Sequence, residues 1–111
     1  MSKAQRRRRS RKYAEGNLGQ DKSFYFRGPQ GKLNLRAQNL LLFIQLAEGI
    51  DDDTWLYHLR QGDYARWFRE AIKDDELAAE TARVAAHPSI GAEESRAAIK
   101  AAIKERYTAP A

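Results

Sequence analysis

Few residues in this chain have the types and spacing that chemistry needs, and the most suggestive run is Asp51-Asp52-Asp53-Thr54. It has the outline of an aspartyl nucleophile loop, Asp-x-Asp-x-Thr/Val. Such a loop needs a buried parallel strand before it and a doubly wound sheet of about 150 residues or more to supply a lysine and further acids. Here an apolar stretch of helical period precedes it, and Trp55 stands at the fifth position in place of Thr or Val. The three acids are therefore expected to cap a helix. His58 and His87 are the only histidines, 29 residues apart, and there is no cysteine. Metal sites assemble three or four ligands of defined type. Asp51 to Asp53 with His58 would make at best a weak cation site. Glu70 and Asp74 are titratable, but no convergent acid–base set accompanies them. Gly28-Pro29-Gln30-Gly31 lacks the Lys-Ser/Thr that completes a phosphate loop. No catalytic residue, metal ligand or cofactor is assigned, and the chain is not expected to be an enzyme.

The strongest polar signal is cationic. Residues 1–12 carry Lys3, Arg6, Arg7, Arg8, Arg9, Arg11 and Lys12 without an acid, a charge of +7. Since the whole chain is +5, residues 13–111 carry −2. Such an arm suits the phosphates of RNA or DNA, an anionic membrane surface or an acidic partner; the competing reading is a solubilising tail or linker. Phe24, Tyr25 and Phe26 lie among Lys22, Arg27 and Lys32, and aromatics interleaved with cations can stack on unpaired bases. Alternation directs Phe24 and Phe26 to the core and leaves Tyr25 and Arg27 outward. Lys3, Arg6 to Arg9, Arg11, Lys12, Tyr25 and Arg27 are thus the candidate nucleic-acid contacts.

These residues must be held by a small scaffold. One domain is expected from 111 residues of which 42% are hydrophobic and 32% charged. The absence of cysteine fits a reducing cytoplasm. The longest apolar run, Leu40 to Ile44, is far shorter than the ~20 residues of a membrane span. No apolar stretch follows the basic start, so a secretory signal is not expected. Residues 1–23 read as a disordered basic arm, 24–108 as a helical domain and 109–111 as a tail.

Within that domain, Phe24 to Phe26 and Lys32 to Leu35 alternate around turn residues, as in a short hairpin or extended arm whose Phe24/Phe26 and Leu33/Leu35 faces pack on helices. A buried helix is expected over Leu35 to Glu48, with Asn34 as cap and Gly49 as the C′ residue. A second helix follows Asp51 to Asp53 and ends at Gly62, and Asp63 caps a third. Asp74 to Glu76 open a fourth, which stops before Pro88. The last runs from about Ala92 to Tyr107. Trp55, Tyr64, Trp67 and Phe68 sit at core spacing, with Leu42, Phe43, Leu46, Leu59, Ile72, Leu77 and Ile99 completing the expected core. The predicted fold is mainly α, a compact bundle of about five short helices with an N-terminal hairpin or extended arm.

The segment GDYARWFREAIKDDELA over residues 62–78, with FYFRGPQGKLNLRAQNL over 24–40 and DDDTWLYHL over 51–59, resembles small, poorly characterised bacterial helical domains. In particular it is similar to the C-terminal accessory domain attached to haloacid-dehalogenase-type phosphatases. The resemblance covers roughly residues 22–108 and rests on caps and core aromatics. It implies an accessory module beside an enzyme, with a protein partner that the sequence does not identify and for which a phosphatase is the candidate. The Arg-rich arm would then correspond to the linker in such fusions. The expected function is a non-catalytic accessory or protein-interaction module. The alternative is a small nucleic-acid-binding protein, ribosome-associated or otherwise, that uses its arm.

Overall fold

Alternation in Phe24-Tyr25-Phe26 produces a strand, β1 (Phe24–Phe26), paired antiparallel with β2 (Leu35–Ala37). The register sets Phe24 opposite Ala37, Tyr25 opposite Arg36 and Phe26 opposite Leu35. Phe24 and Phe26 are buried and Tyr25 lies on the outer face. The second limb differs from the Lys32 to Leu35 expected. Leu33 N donates to Arg27 O at 3.0 Å and Gly31 N to Gly28 O at 3.2 Å, so residues 28–34 form the connection. Pairing starts only at Leu35, which is 38% exposed instead of packed in the core.

The structure, a computed structural model, describes residues 11–107. Residues 11–23, expected in the disordered arm, are packed. Residues 11–15 are helical (α1), Tyr13 and Ala14 are buried, and Leu18 N donates to Gln38 O at 3.0 Å beside β2. The rest of the expected arm, residues 1–10, and residues 108–111 lie outside the described residues.

The strand pairing also moves the first long helix. Residues 35–37 are taken up by the ladder, and α2 (Leu40–Gly49) begins five residues later than the Leu35 expected. Its cap is Asn39, not Asn34: the Asn39 carboxamide oxygen accepts from Leu42 N at 2.8 Å, and its Nδ2 donates to Gly16 O at 2.8 Å. Gly49 is the last helical residue and not a left-handed C′ residue; Ile50 N closes the helix on Leu46 O.

The remaining helices follow their sequence signals closely. They are α3 (Asp52–Arg60), α4 (Asp63–Glu70), α5 (Asp75–Ala86) and α6 (Ala92–Tyr107). Asp51 and Asp74 cap α3 and α5 through Thr54 N and Leu77 N, relieving unpaired amides of the first turn. Gly62, at φ 75°, makes the sharp α3–α4 junction that a side chain would strain. Asp63 does not cap α4; its carboxylate is used elsewhere.

The core is aromatic. Phe43 of α2 stacks on Trp67 at 5.3 Å between ring centroids, and Trp55 stacks on Tyr64 at 4.4 Å. Phe24 and Phe26 meet Phe43 from the sheet side, and Ile99 and Ile103 of α6 complete the cluster. Leu42 and Leu46, expected in the core, are only partly buried against it. The chain is thus mainly α, with six helices among the described residues and a two-stranded antiparallel sheet that sets it apart from a pure bundle. No helix among the described residues is long and apolar enough to cross a membrane.

Candidate functional site

The aspartyl run performs structural work. Asp51 accepts from Thr54 N at 3.0 Å and from Thr54 Oγ1 at 2.6 Å. These two bonds, the hydroxyl's foremost, hold its carboxyl below the ordinary aspartate range. Asp52 pairs with Arg96 at 2.6 Å. Both acids sit at the start of a helix, without the preceding strand that a nucleophile loop requires. Among the described residues no group of three or more His, Cys, Asp or Glu side chains is placed to hold a metal ion.

His58 is the titratable group whose position was least legible. It is 5% exposed, and its Nδ1 lies 2.8 Å from Asp63 Oδ2. Arg27 N and Gly28 N donate to its Nε2 at 3.1 and 3.2 Å. An Nε2 that accepts two amides carries no proton, so the ring is the Nδ1–H tautomer donating to Asp63. A His–Asp pair is two parts of a nucleophile–base–orienter set, but here the basic nitrogen is occupied by backbone. The sequence does carry a signal for this burial, since His58 follows Trp55 at i+3 on the apolar face of α3.

A cleft of about 300 Å³ opens between α2, α3 and α6. Phe43, Trp55, Ile99 and Ile103 contribute to its apolar lining, and the exposed Ala97 also borders it. Ion pairs Glu48–Lys100 and Arg96–Asp52 flank the lining. Lys100 holds the Glu48 carboxyl below its ordinary range through their hydrogen bond and charge. Arg96 also donates to Ala47 O at 2.8 Å and to Ile50 O at 2.7 Å, satisfying carbonyls at the C-terminal end of α2. A smaller cleft of about 250 Å³ lies where the β1–β2 connection meets the start of α3, between Arg27, Lys32, Asp53 and Thr54.

Charge is divided along the chain. Residues 1–40 hold eleven lysines and arginines against two acids, whereas residues 41–111 hold nine against thirteen. Ion pairs such as Arg66–Asp63, Arg96–Asp52 and Arg106–Glu80 lie in the second part. Arg11, Lys12, Lys22, Arg27, Lys32 and Arg36 make no ion pair with any described residue. Of the candidate nucleic-acid contacts, Lys3, Arg6, Arg7, Arg8 and Arg9 fall outside the described residues. Arg11 and Lys12 are exposed on α1. Tyr25 and Arg27 come together on the outer sheet face, with the guanidinium 5.0 Å from the ring centroid. Arg36, which sequence reasoning missed, stands opposite Tyr25 and donates to Ser23 Oγ at 2.9 Å and Asn17 Oδ1 at 3.0 Å. Its place depends on the register, which is a non-local property.

Comparisons with protein families, with curated proteins and with solved structures find no match for the chain.

Proposed function

We infer that the chain is a non-catalytic helical accessory module that engages a protein partner. The observation that carries this reading is the α2–α3–α6 cleft, an apolar lining between ion-paired edges in a scaffold whose polar side chains serve one another. Thr81 Oγ1 is the one buried side-chain polar atom of the described residues that lacks a hydrogen bond. A cleft of this size accepts an apolar anchor side chain from a partner, and the edge charges orient the segment that carries it. Given the sequence resemblance, the partner to test first is the catalytic domain of a haloacid-dehalogenase-type phosphatase. Calorimetric titration of the full chain with such a domain should show association. Ala97→Glu, an exposed change that sets a charge beside the apolar lining, should abolish it. Turnover of a phosphate ester by the purified chain alone overturns the non-catalytic reading.

The division of charge favours a second reading, in which the cationic N-terminal part binds a nucleic acid. Affinity would then fall steeply with salt, with a log–log slope of about −0.7 per phosphate contacted on a single strand. Titration of oligonucleotides at several salt concentrations tests it. Salt-independent binding, or none, removes it.

A further inference from the structure

We propose that the outer face of the β1–β2 sheet is a stacking site for an unpaired base, so that the nucleic acid taken by the cationic part is single-stranded. The inference rests on the nucleic-acid reading above and specifies the site and the ligand class. Tyr25 lies on β1 and Arg27 directly follows the strand, and the two stack on each other, guanidinium over ring at 5.0 Å. The phenol is held in place by its hydroxyl, which donates to Gln20 O at 2.7 Å. Arg27 is exposed and makes no ion pair with any described residue, so the planar guanidinium offers a charged surface on which a base can lie.

The backbone beneath it is fixed. Arg27 N and Gly28 N both donate to His58 Nε2, so the point from which the arginine side chain leaves the sheet is anchored to α3. Arg36, across from Tyr25, is held by two neutral oxygens, Ser23 Oγ and Asn17 Oδ1, and keeps its full charge for a phosphate. Lys22 and Lys32 flank the two strands, while Arg11 and Lys12 stand on the segment leading into residues 17–20 beside them. Cations on the segments around one aromatic–guanidinium stack are the parts of a single-strand site. A duplex would meet the same charges but keeps its base faces covered.

The test uses the full chain, a fluorescent oligothymidylate, a duplex of equal length, and heparin as a polyanion without bases. Arg27→Lys keeps the charge and removes the planar surface. It should weaken the oligothymidylate about 5- to 150-fold, the range that loss of one stacked base produces, while the salt slope and heparin affinity stay unchanged. Tyr25→Leu should do the same, and both variants should melt as the parent does. A strand carrying 2-aminopurine should lose fluorescence on binding the parent and keep it with Arg27→Lys. If Arg27→Lys leaves strand affinity unchanged, or weakens strand and heparin equally, the contact is one of charge alone. The stacking site is then overturned while the nucleic-acid reading stands. Absence of any salt-sensitive binding by the parent overturns both. Tighter binding to phosphatidylserine vesicles than to any oligonucleotide assigns the cations to a lipid surface and overturns both as well.

Discussion

Replacing His58 separates a structural histidine from one held ready for chemistry. His58→Phe keeps a ring against Phe24, at 5.4 Å between centroids, and against Tyr64 at 6.0 Å, but removes both nitrogens. Asp63 retains Arg66 at 2.9 Å and access to water, so it loses little. The cost falls on two amides. Gly28 N is in a buried bond, and an orphaned buried donor costs about 1–3 kcal/mol. Arg27 N, only part-buried, adds about 0.5–1.5 kcal/mol. The expected loss is therefore about 1.5–4.5 kcal/mol from a total stability of roughly 5–15 kcal/mol. His58→Gln restores an acceptor near the position of Nε2 and should recover about 1 kcal/mol of that loss. Urea unfolding followed by the fluorescence of Trp55 and Trp67 gives the magnitudes, and amide exchange at Gly28 gives the location. A Phe variant within about 0.5 kcal/mol of the parent, with Gly28 protection unchanged, would show that His58 does not hold the β1–β2 connection. The His58–Asp63 pair would then need a different explanation.

Other perturbations follow from the same contacts. Trp67→Ala should cost about 3–5 kcal/mol in urea unfolding, because it deletes the ring stacked on Phe43 and the Nε1 bond to Lys22 O at 2.8 Å. Tyr13→Ala should cost about 1–3 kcal/mol, a loss that would be absent if α1 were detached from the core. Gly28→Ala should cost about 1–3 kcal/mol, since φ is +78° and a Cβ would lie 3.1 Å from Thr54 Oγ1. The Asp51 carboxyl is depressed, so its stabilising contribution is present above the ordinary aspartate value of about 3.9 and is lost as pH falls through the lower folded value. Asp51→Asn, which still caps but lacks the charge and one acceptor oxygen, should lower the urea midpoint slightly at pH 7 and flatten its decline below pH ~4.

What was legible in the sequence is what short-range chemistry determines. Asp51 and Asp74 were readable as caps because the bond spans three residues and needs no other part of the chain. Asn34 and Asn39 both precede a leucine, and local signals cannot rank them. The choice is made by Phe24 to Phe26 pairing with Leu35 to Ala37, a contact between separate segments whose central pair is Tyr25 and Arg36. The packing of residues 11–23 was hidden for the same reason. Tyr13 and Leu18 are too sparse to suggest a buried face until β2 and Asn39 supply partners for the backbone around them. Of the candidate contacts, Tyr25 and Arg27 were found by alternation alone, whereas Arg36 joins them only through register.

His58 links the part of the molecule that looks catalytic to the part that binds in the proposed site. A histidine paired with an aspartate would, with its other nitrogen open, be a general base. Here that nitrogen grips the backbone at Arg27 and Gly28, and Gly28 can approach α3 closely because it has no side chain to meet Thr54. Thr54 in turn is bonded to Asp51, the residue that resembled a nucleophile. The imidazole thus supports the backbone under one arginine, while the acid and the hydroxyl order the start of the helix that carries it. The effect of the His58 bonds is to fix where that arginine leaves the sheet, so His58→Phe should weaken a stacked strand as well as the fold. His58→Gln, which restores the acceptor, should recover part of both.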